Sequence, residues 1–165
     1  MYAIFLQQSS SGPADPGAVL REARSASRPF PASAPEDAAA ALPIYLVEDS
    51  PIIRANLTGS LEDLADARVV GFAESEGEAL GWLQAHPEGW TLAVVDIFLK
   101  SGSGLGVLDG LRARGPHQKA VALTNYATAE MRQRCLALGA DAIFDKSREL
   151  DEFFEYCLSM SRAND

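Results

Sequence analysis

From Pro43 onward, short apolar runs alternate with amphipathic stretches, and the alternation predicts five strands, each followed by a helix. Ile44-Tyr45-Leu46-Val47 reads as a buried strand, because four consecutive apolar residues leave no polar face for water. Ser50 then supplies a helix N-cap and Pro51 an N1 proline, opening a helix through about Ala65. Arg68 to Ala73 is the second strand. Ser75, with Glu78 three residues on, forms a capping box for a helix that ends near Ala85, before Pro87. Leu92 to Val95 is the third strand, and a Gly/Ser loop from Ser101 to Gly104 leads into a helix from Leu105 to about Arg112. Ala120 to Leu123 and Ala142 to Phe144 are the fourth and fifth strands. The helix between them runs from Thr128 to Leu138 and is stopped by Gly139; the last runs from Glu149 to about Met160. Strands too apolar to be half exposed, joined by connections that suit right-handed crossovers, make the fold class α/β. The expected architecture is a doubly wound five-stranded parallel sheet with helices on both faces.

Residues 1–42 break the pattern. They are rich in Ala, Ser and Pro and show no sustained periodicity, so they read as a disordered or low-complexity N-terminal extension, with a short helix near Gly17 to Arg24 as its only candidate element. Arg21, Arg24 and Arg28 faintly resemble a transit peptide, but Asp15, Glu22, Glu36 and Asp37 spoil it. One domain is expected over residues 43–162, and at about 120 residues it can bury a core of its own.

Composition removes several functions. The formal net charge is -9 and no Lys/Arg run exists, which argues against a nucleic-acid surface. No stretch approaches the ~20 apolar residues of a membrane span, and the start Tyr2 to Leu6 lacks the basic and apolar regions of a secretory signal. A cytoplasmic location is expected. The two cysteines, Cys135 and Cys157, lie in helical patterns and read as small buried side chains. His86 and His117, each beside a proline, read as loop residues.

The candidate chemistry sits at one end of the strands. Glu48-Asp49 closes the first strand, Asp96 the third and Thr124 the fourth, while Lys146 follows the fifth. In an open parallel sheet these carboxyl ends converge on one crevice, where ligands bind. Three carboxylates there repel one another unless a cation intervenes, and all-oxygen ligands suit Mg²⁺, with the backbone carbonyl of Phe98 as a further ligand. Lys146 offers a point charge to a phosphoryl oxygen and Thr124 a hydroxyl, so Asp96, between them, is the natural nucleophile for an aspartyl-phosphate.

These residues carry a resemblance. IYLVEDS, LAVVDIFLKSGSGLGVLDGLR, AVALTNYA and GADAIFDKS, with Thr124 28 residues after Asp96 and 22 before Lys146, resemble the receiver domain of two-component response regulators, in particular the stand-alone, chemotaxis-regulator-like kind. The resemblance covers about residues 43–162. It implies a flavodoxin-like strand order 2-1-3-4-5 and a Mg²⁺ ion on Asp49 and Asp96 with help from Glu48. It implies that Asp96 takes a phosphoryl group from a histidine kinase or histidine phosphotransfer protein, with Thr124 and Lys146 on the phosphoryl oxygens. Signalling to a downstream protein partner would follow, and a weak homodimer is compatible with it. Because Ser159 to Asp165 carries no helix-turn-helix, readout by protein contact or onward phosphotransfer is expected.

Four positions depart from the family pattern. Lys100 stands where Pro is usual, so the loop after Asp96 is expected to be more flexible and carries an added charge. Asn125 replaces a small residue and narrows access for a phosphodonor; Ser147 replaces a common Pro; Ile143 occupies the place of a switching aromatic, with Phe144 beside it facing the core on the other side of the sheet. Two further readings remain: a docking domain that no longer accepts phosphate, and an aspartyl-nucleophile phosphohydrolase. The second expects an acid two residues beyond the nucleophile, where this chain has Phe98. Dinucleotide binding fails because the first strand leads to acids rather than a glycine-rich cradle. Phe98 and Tyr126, two beyond Asp96 and Thr124, are the side chains best placed to obstruct a hydrolytic water.

Overall fold

The computed structural model describes residues 41–164. The expected extension therefore lies outside the described residues except at its end, as does its candidate helix. The ten elements are β1 (Leu42–Val47), α1 (Pro51–Leu64), β2 (Ala67–Ala73), α2 (Glu76–Ala85), β3 (Leu92–Val95), α3 (Gly104–Gly110), β4 (Lys119–Thr124), α4 (Ala129–Ala137), β5 (Ala142–Asp145) and α5 (Leu150–Ala163). All strand pairs are parallel and the order is β2-β1-β3-β4-β5. The doubly wound architecture is as the alternation predicts.

Side chains alternate across the pleat into two cores. Tyr45, Val47, Ala93, Val95, Ala122 and Ile143 face α2, α3 and α4. Leu42, Ile44, Leu46, Val94, Leu123 and Phe144 face α1 and α5. Phe144 is a core residue, edge to face with Phe153 and with Tyr156. Cys135 and Cys157 are buried and unpaired, one in each core.

Local signals start the helices at the expected places. Ser50 Oγ accepts the Ile53 N–H, Ser75 Oγ the Glu78 N–H, and Thr128 Oγ1 the Met131 N–H. The return half of the capping box shifts by one residue, since the Glu78 carboxylate accepts the Glu74 N–H rather than that of Ser75. Gly139, at φ +95°, ends α4: its N–H donates to Leu136 O and that of Ala140 to Cys135 O. This is the paired bonding of a left-handed C-cap.

One strand departs from the expectation of full burial. β2 is an edge strand, with Arg68 and Phe72 exposed and its middle half-buried. An edge has one flank without a neighbour, so its outer side chains need other cover. Phe72 finds it in Arg54, whose guanidinium lies 3.9 Å from the ring centroid. β1 begins two residues earlier than its apolar run, because the Leu42 N–H donates to Asp66 O and the Pro43 carbonyl accepts from Thr91.

Candidate functional site

Parallel pairing brings the carboxyl ends of four strands into one crevice. The Glu48 N–H donates to Ala73 O and the Asp96 N–H to Val47 O, so the acidic residues leave the ends of β1 and β3 side by side. The Lys146 N–H donates to Thr124 O in the same way at the ends of β4 and β5. Glu48, Asp49 and Asp96 each present a carboxylate oxygen within 4.8 Å of the others. All three predicted carboxylates are therefore brought together.

Lys146 reaches into this group. Its Nζ lies 2.5 Å from Glu48 Oε2 and 3.0 Å from Asp96 Oδ2, with side-chain exposures of 10% for the lysine, 4% for Glu48 and 12% for Asp96. One ammonium thus pairs with two of the three clustered carboxylates, and the group as a whole stays net negative. Burial raises the Asp96 pKa to about 6; Lys146 opposes the rise and Glu48 adds to it. Burial pulls the Lys146 ammonium down, but the hydrogen bond to Glu48 and the charge of Asp96 outweigh it and its pKa ends raised. The group is a set of hard oxygen donors with uncompensated negative charge, which fits a divalent cation such as Mg²⁺. Asp49, half-buried, is held by the Lys100 N–H at 2.9 Å from Oδ2, and Asp96 Oδ1 accepts the Phe98 N–H at 3.3 Å. Glu48 is more committed than expected, since beyond the lysine it accepts the Ser50 N–H at 3.1 Å.

Thr124 is fully buried and its Oγ1 accepts the Tyr126 N–H at 3.2 Å. That bond uses a lone pair and leaves the hydroxyl proton free to donate. Phe98 and Tyr126, two residues beyond Asp96 and Thr124, meet edge to face with ring centroids 4.7 Å apart, and both are exposed. Asn125 Oδ1 accepts the Ser147 hydroxyl at 3.2 Å, so two of the departing positions bond to each other across neighbouring loops.

The loop after Asp96 is better restrained than its Lys-Ser-Gly sequence suggests. Phe98 and Ser103 form an antiparallel bridge, the Gly104 N–H donates to Ile97 O, and the Ser103 N–H donates to Glu76 Oε2 at 2.8 Å. A Cβ on Gly104 would stand 2.1 Å from Asp96 O, so only glycine allows the chain to double back there. Ile143 lies in the core facing α4, and its carbonyl accepts Arg132 Nη1 at 3.2 Å. The Arg132 guanidinium also takes Ala127 O and the Glu149 carboxylate, whose pKa that hydrogen bond lowers.

Sequence reasoning missed Arg54, Glu76 and Arg132. Arg54 Nη1 donates to Glu48 O at 2.9 Å and to Glu74 Oε1 at 3.1 Å, steadying the acidic turn. The usable signal for Arg54 was its place one turn into the helix that follows Glu48-Asp49. Glu76 and Arg132 act through contacts distant in sequence, for which no local pattern exists.

The family model described as the response regulator receiver domain matches residues 44–157. The photosynthetic apparatus regulatory protein RegA of Cereibacter sphaeroides is 29% identical over 109 residues, which cover 66% of this chain and 57% of that protein. The DNA-binding transcriptional activator DevR/DosR of Mycobacterium tuberculosis is 31% identical over 98 residues, 59% of this chain and 44% of that one. The chain spans about half the length of these curated relatives. Among solved structures, the response regulator domain of Thermotoga maritima CheB superposes with TM-score 0.62 at 19% identity, covering 75% of this chain and 96% of that one. A response regulator protein from Burkholderia pseudomallei, solved with a phosphorylated aspartic acid, a calcium ion and citrate, gives TM-score 0.62 at 22% identity over 74% of this chain and 69% of that one. At these identities the structural likeness is one of fold.

Proposed function

Because the chain belongs to the response regulator receiver family, we propose that its domain, residues 43–162, accepts a phosphoryl group on Asp96 and signals by protein contact. The observation that carries this reading is the convergence of Glu48, Asp49, Asp96 and Lys146 in one partly buried, net-negative crevice with Thr124 at the end of the neighbouring strand. Glu48, Asp49, Asp96 and the Phe98 carbonyl would hold Mg²⁺, and the ion supplies positive charge shared between the carboxylates and the phosphoryl oxygens.

The chain's own residues do the rest. An Asp96 carboxylate oxygen attacks phosphorus, and the P–N bond to a histidine of a kinase or phosphotransfer protein breaks with its electron pair returning to the imidazole. Asp96 is ionised at neutral pH even with its pKa at about 6, so the nucleophile is available. Lys146, already 3.0 Å from Asp96 Oδ2, passes its charge to a phosphoryl oxygen, and Thr124 turns its hydroxyl proton toward another. The module is a signalling domain, and its chemistry is confined to gaining and losing this group. A kinase histidine as donor puts it in the cytoplasm; no helix among the described residues is long and apolar enough to cross a membrane. The net charge of -9 supports a protein rather than a nucleic acid as the surface this chain reads.

The test is the chemistry of the bond formed. Labelled small acyl phosphate should transfer label only with Mg²⁺ present, and the label should be lost to hydroxylamine, as an acyl phosphate is and a phosphoserine is not. Label that survives hydroxylamine contradicts the assignment.

A further inference from the structure

The loop between β3 and α3 carries two backbone groups that the proposed site uses, the Lys100 N–H on Asp49 Oδ2 and the Phe98 carbonyl. Its sequence, Lys100-Ser101-Gly102-Ser103-Gly104, has little side-chain bulk to hold a conformation. The restraint comes from another element. Glu76, the half-buried first residue of α2, accepts the Ser103 N–H at Oε2, 2.8 Å away, and its own N–H donates to Ser101 O at 3.2 Å. These two bonds grip the loop on either side of Gly102, whose φ is +78°.

Two glycines leave room for that grip. A Cβ on Gly102 would lie 2.5 Å from Glu76 Cβ, and a Cβ on Gly106 would lie 2.0 Å from Glu76 Oε1. A glutamate in a first helical turn ordinarily complements the helix dipole from the surface. That role would require neither glycine and no contact with a neighbouring loop. Ser103 in turn pairs with Phe98 across the loop, so a hold on Ser103 is transmitted to the residue whose carbonyl would be a ligand of the proposed ion.

We propose that Glu76 is a positioning residue for the phosphoacceptor site: its carboxylate fixes Ser103 and thereby places the Phe98 carbonyl and the Lys100 amide. The inference rests on the reading of Glu48, Asp49 and Asp96 as a cation site, and it adds a residue outside that cluster. The chemistry of the contact sets its substitutions apart. Glu76→Gln keeps a side-chain carbonyl for the Ser103 N–H, whereas Glu76→Ala removes the acceptor. Gly106→Ala displaces the carboxylate from the other side while replacing a helix-weakening glycine with a better helix former.

The experiment is calorimetric titration of Mg²⁺ into the full chain and these three variants, with amide hydrogen exchange read at Lys100 and Ser103. Glu76→Ala and Gly106→Ala should each weaken Mg²⁺ by about tenfold, the low end for an outer-sphere partner of a metal ligand, and should speed exchange at both amides. Glu76→Gln should bind as the parent does, and combining Glu76→Ala with Gly106→Ala should cost no more than either alone, because both break one contact. Mg²⁺ affinity within twofold of the parent in Glu76→Ala overturns the inference. A parent chain that binds no Mg²⁺ refutes the phosphoacceptor reading instead; the exchange rates then decide the clamp alone, and equal rates in parent and Glu76→Ala overturn it.

Discussion

Replacing Lys146 by Met tests the electrostatics of the crevice. Methionine keeps most of the stem's bulk but leaves Glu48 and Asp96 with no cation, at side-chain exposures of 4% and 12%. Removing one partner of a buried ion pair typically costs about 3–5 kcal/mol. An independent ceiling agrees. A stranded carboxylate can always take a proton, and at pH 7.5 that costs about 5 kcal/mol, from roughly 3.6 units above an ordinary carboxyl pKa at about 1.36 kcal/mol each. At pH 5.5 the same ceiling falls to about 2 kcal/mol. Metal-free Lys146→Met should therefore lose about 3–5 kcal/mol at pH 7.5, a fall in midpoint of roughly 10 °C or more for a domain this size. The loss should shrink to under about 2 kcal/mol at pH 5.5, and Mg²⁺ should restore the variant more than the parent. Urea unfolding followed by the fluorescence of Trp82 and Trp90, with EDTA or with Mg²⁺, measures all of this. A loss below about 1 kcal/mol at pH 7.5, or an equal loss at both pH values, would refute the argument.

Asp96→Asn should remove a pH dependence from metal-free stability: with its pKa raised from 3.8 to about 6, native Asp96 binds its proton more tightly than the unfolded chain does, so its contribution is lost as pH rises through that window. The variant should be the more stable protein at pH 7.5, by up to about 3 kcal/mol, and the advantage should vanish near pH 4; parallel pH-dependent melts that coincide would contradict this. Asp49→Asn should likewise raise metal-free stability by relieving carboxylate repulsion while abolishing Mg²⁺ binding, and undiminished binding by calorimetry would remove Asp49 from the site. Phe98→Ala with Tyr126→Ala opens the aromatic pair beside the acceptor and should speed loss of the phosphoryl group about tenfold, or about 1.4 kcal/mol of barrier. An unchanged lifetime in a phosphate-release assay would mean that the pair does not exclude water.

The fold was legible because its signals are local. Ser50-Pro51, the Ser75 cap and Gly139 mark helix ends within a residue or two of their observed places. Boundaries slipped elsewhere. α3 stops at Gly110 rather than Arg112, as the Leu111 N–H is shared between Val107 O and Leu108 O and the Arg112 N–H turns to Asp109 O. α5 runs on to Ala163, its Ser161 hydroxyl held by Asp66 O. The gathering of Glu48, Asp49, Asp96, Thr124 and Lys146 was legible for a topological reason, since parallel strands deliver their ends to one edge. Their pairing was not. Nothing local links Lys146 to Glu48 across 98 residues, or Glu76 to Ser103 across 27. The restraint of the Lys100 loop was missed for the same cause: its composition speaks of freedom, and the bonds that remove it come from α2.

The central claim is that Asp96 is the phosphoacceptor, and the most direct measurement is the mass of the protein after incubation with Mg²⁺ and a small acyl phosphate. The parent chain should gain one phosphoryl group that peptide mapping places on Asp96, the gain should vanish with EDTA, and Asp96→Asn should gain nothing. A parent that stays at its original mass under these conditions, or an Asp96→Asn variant that gains the same group, would contradict the account.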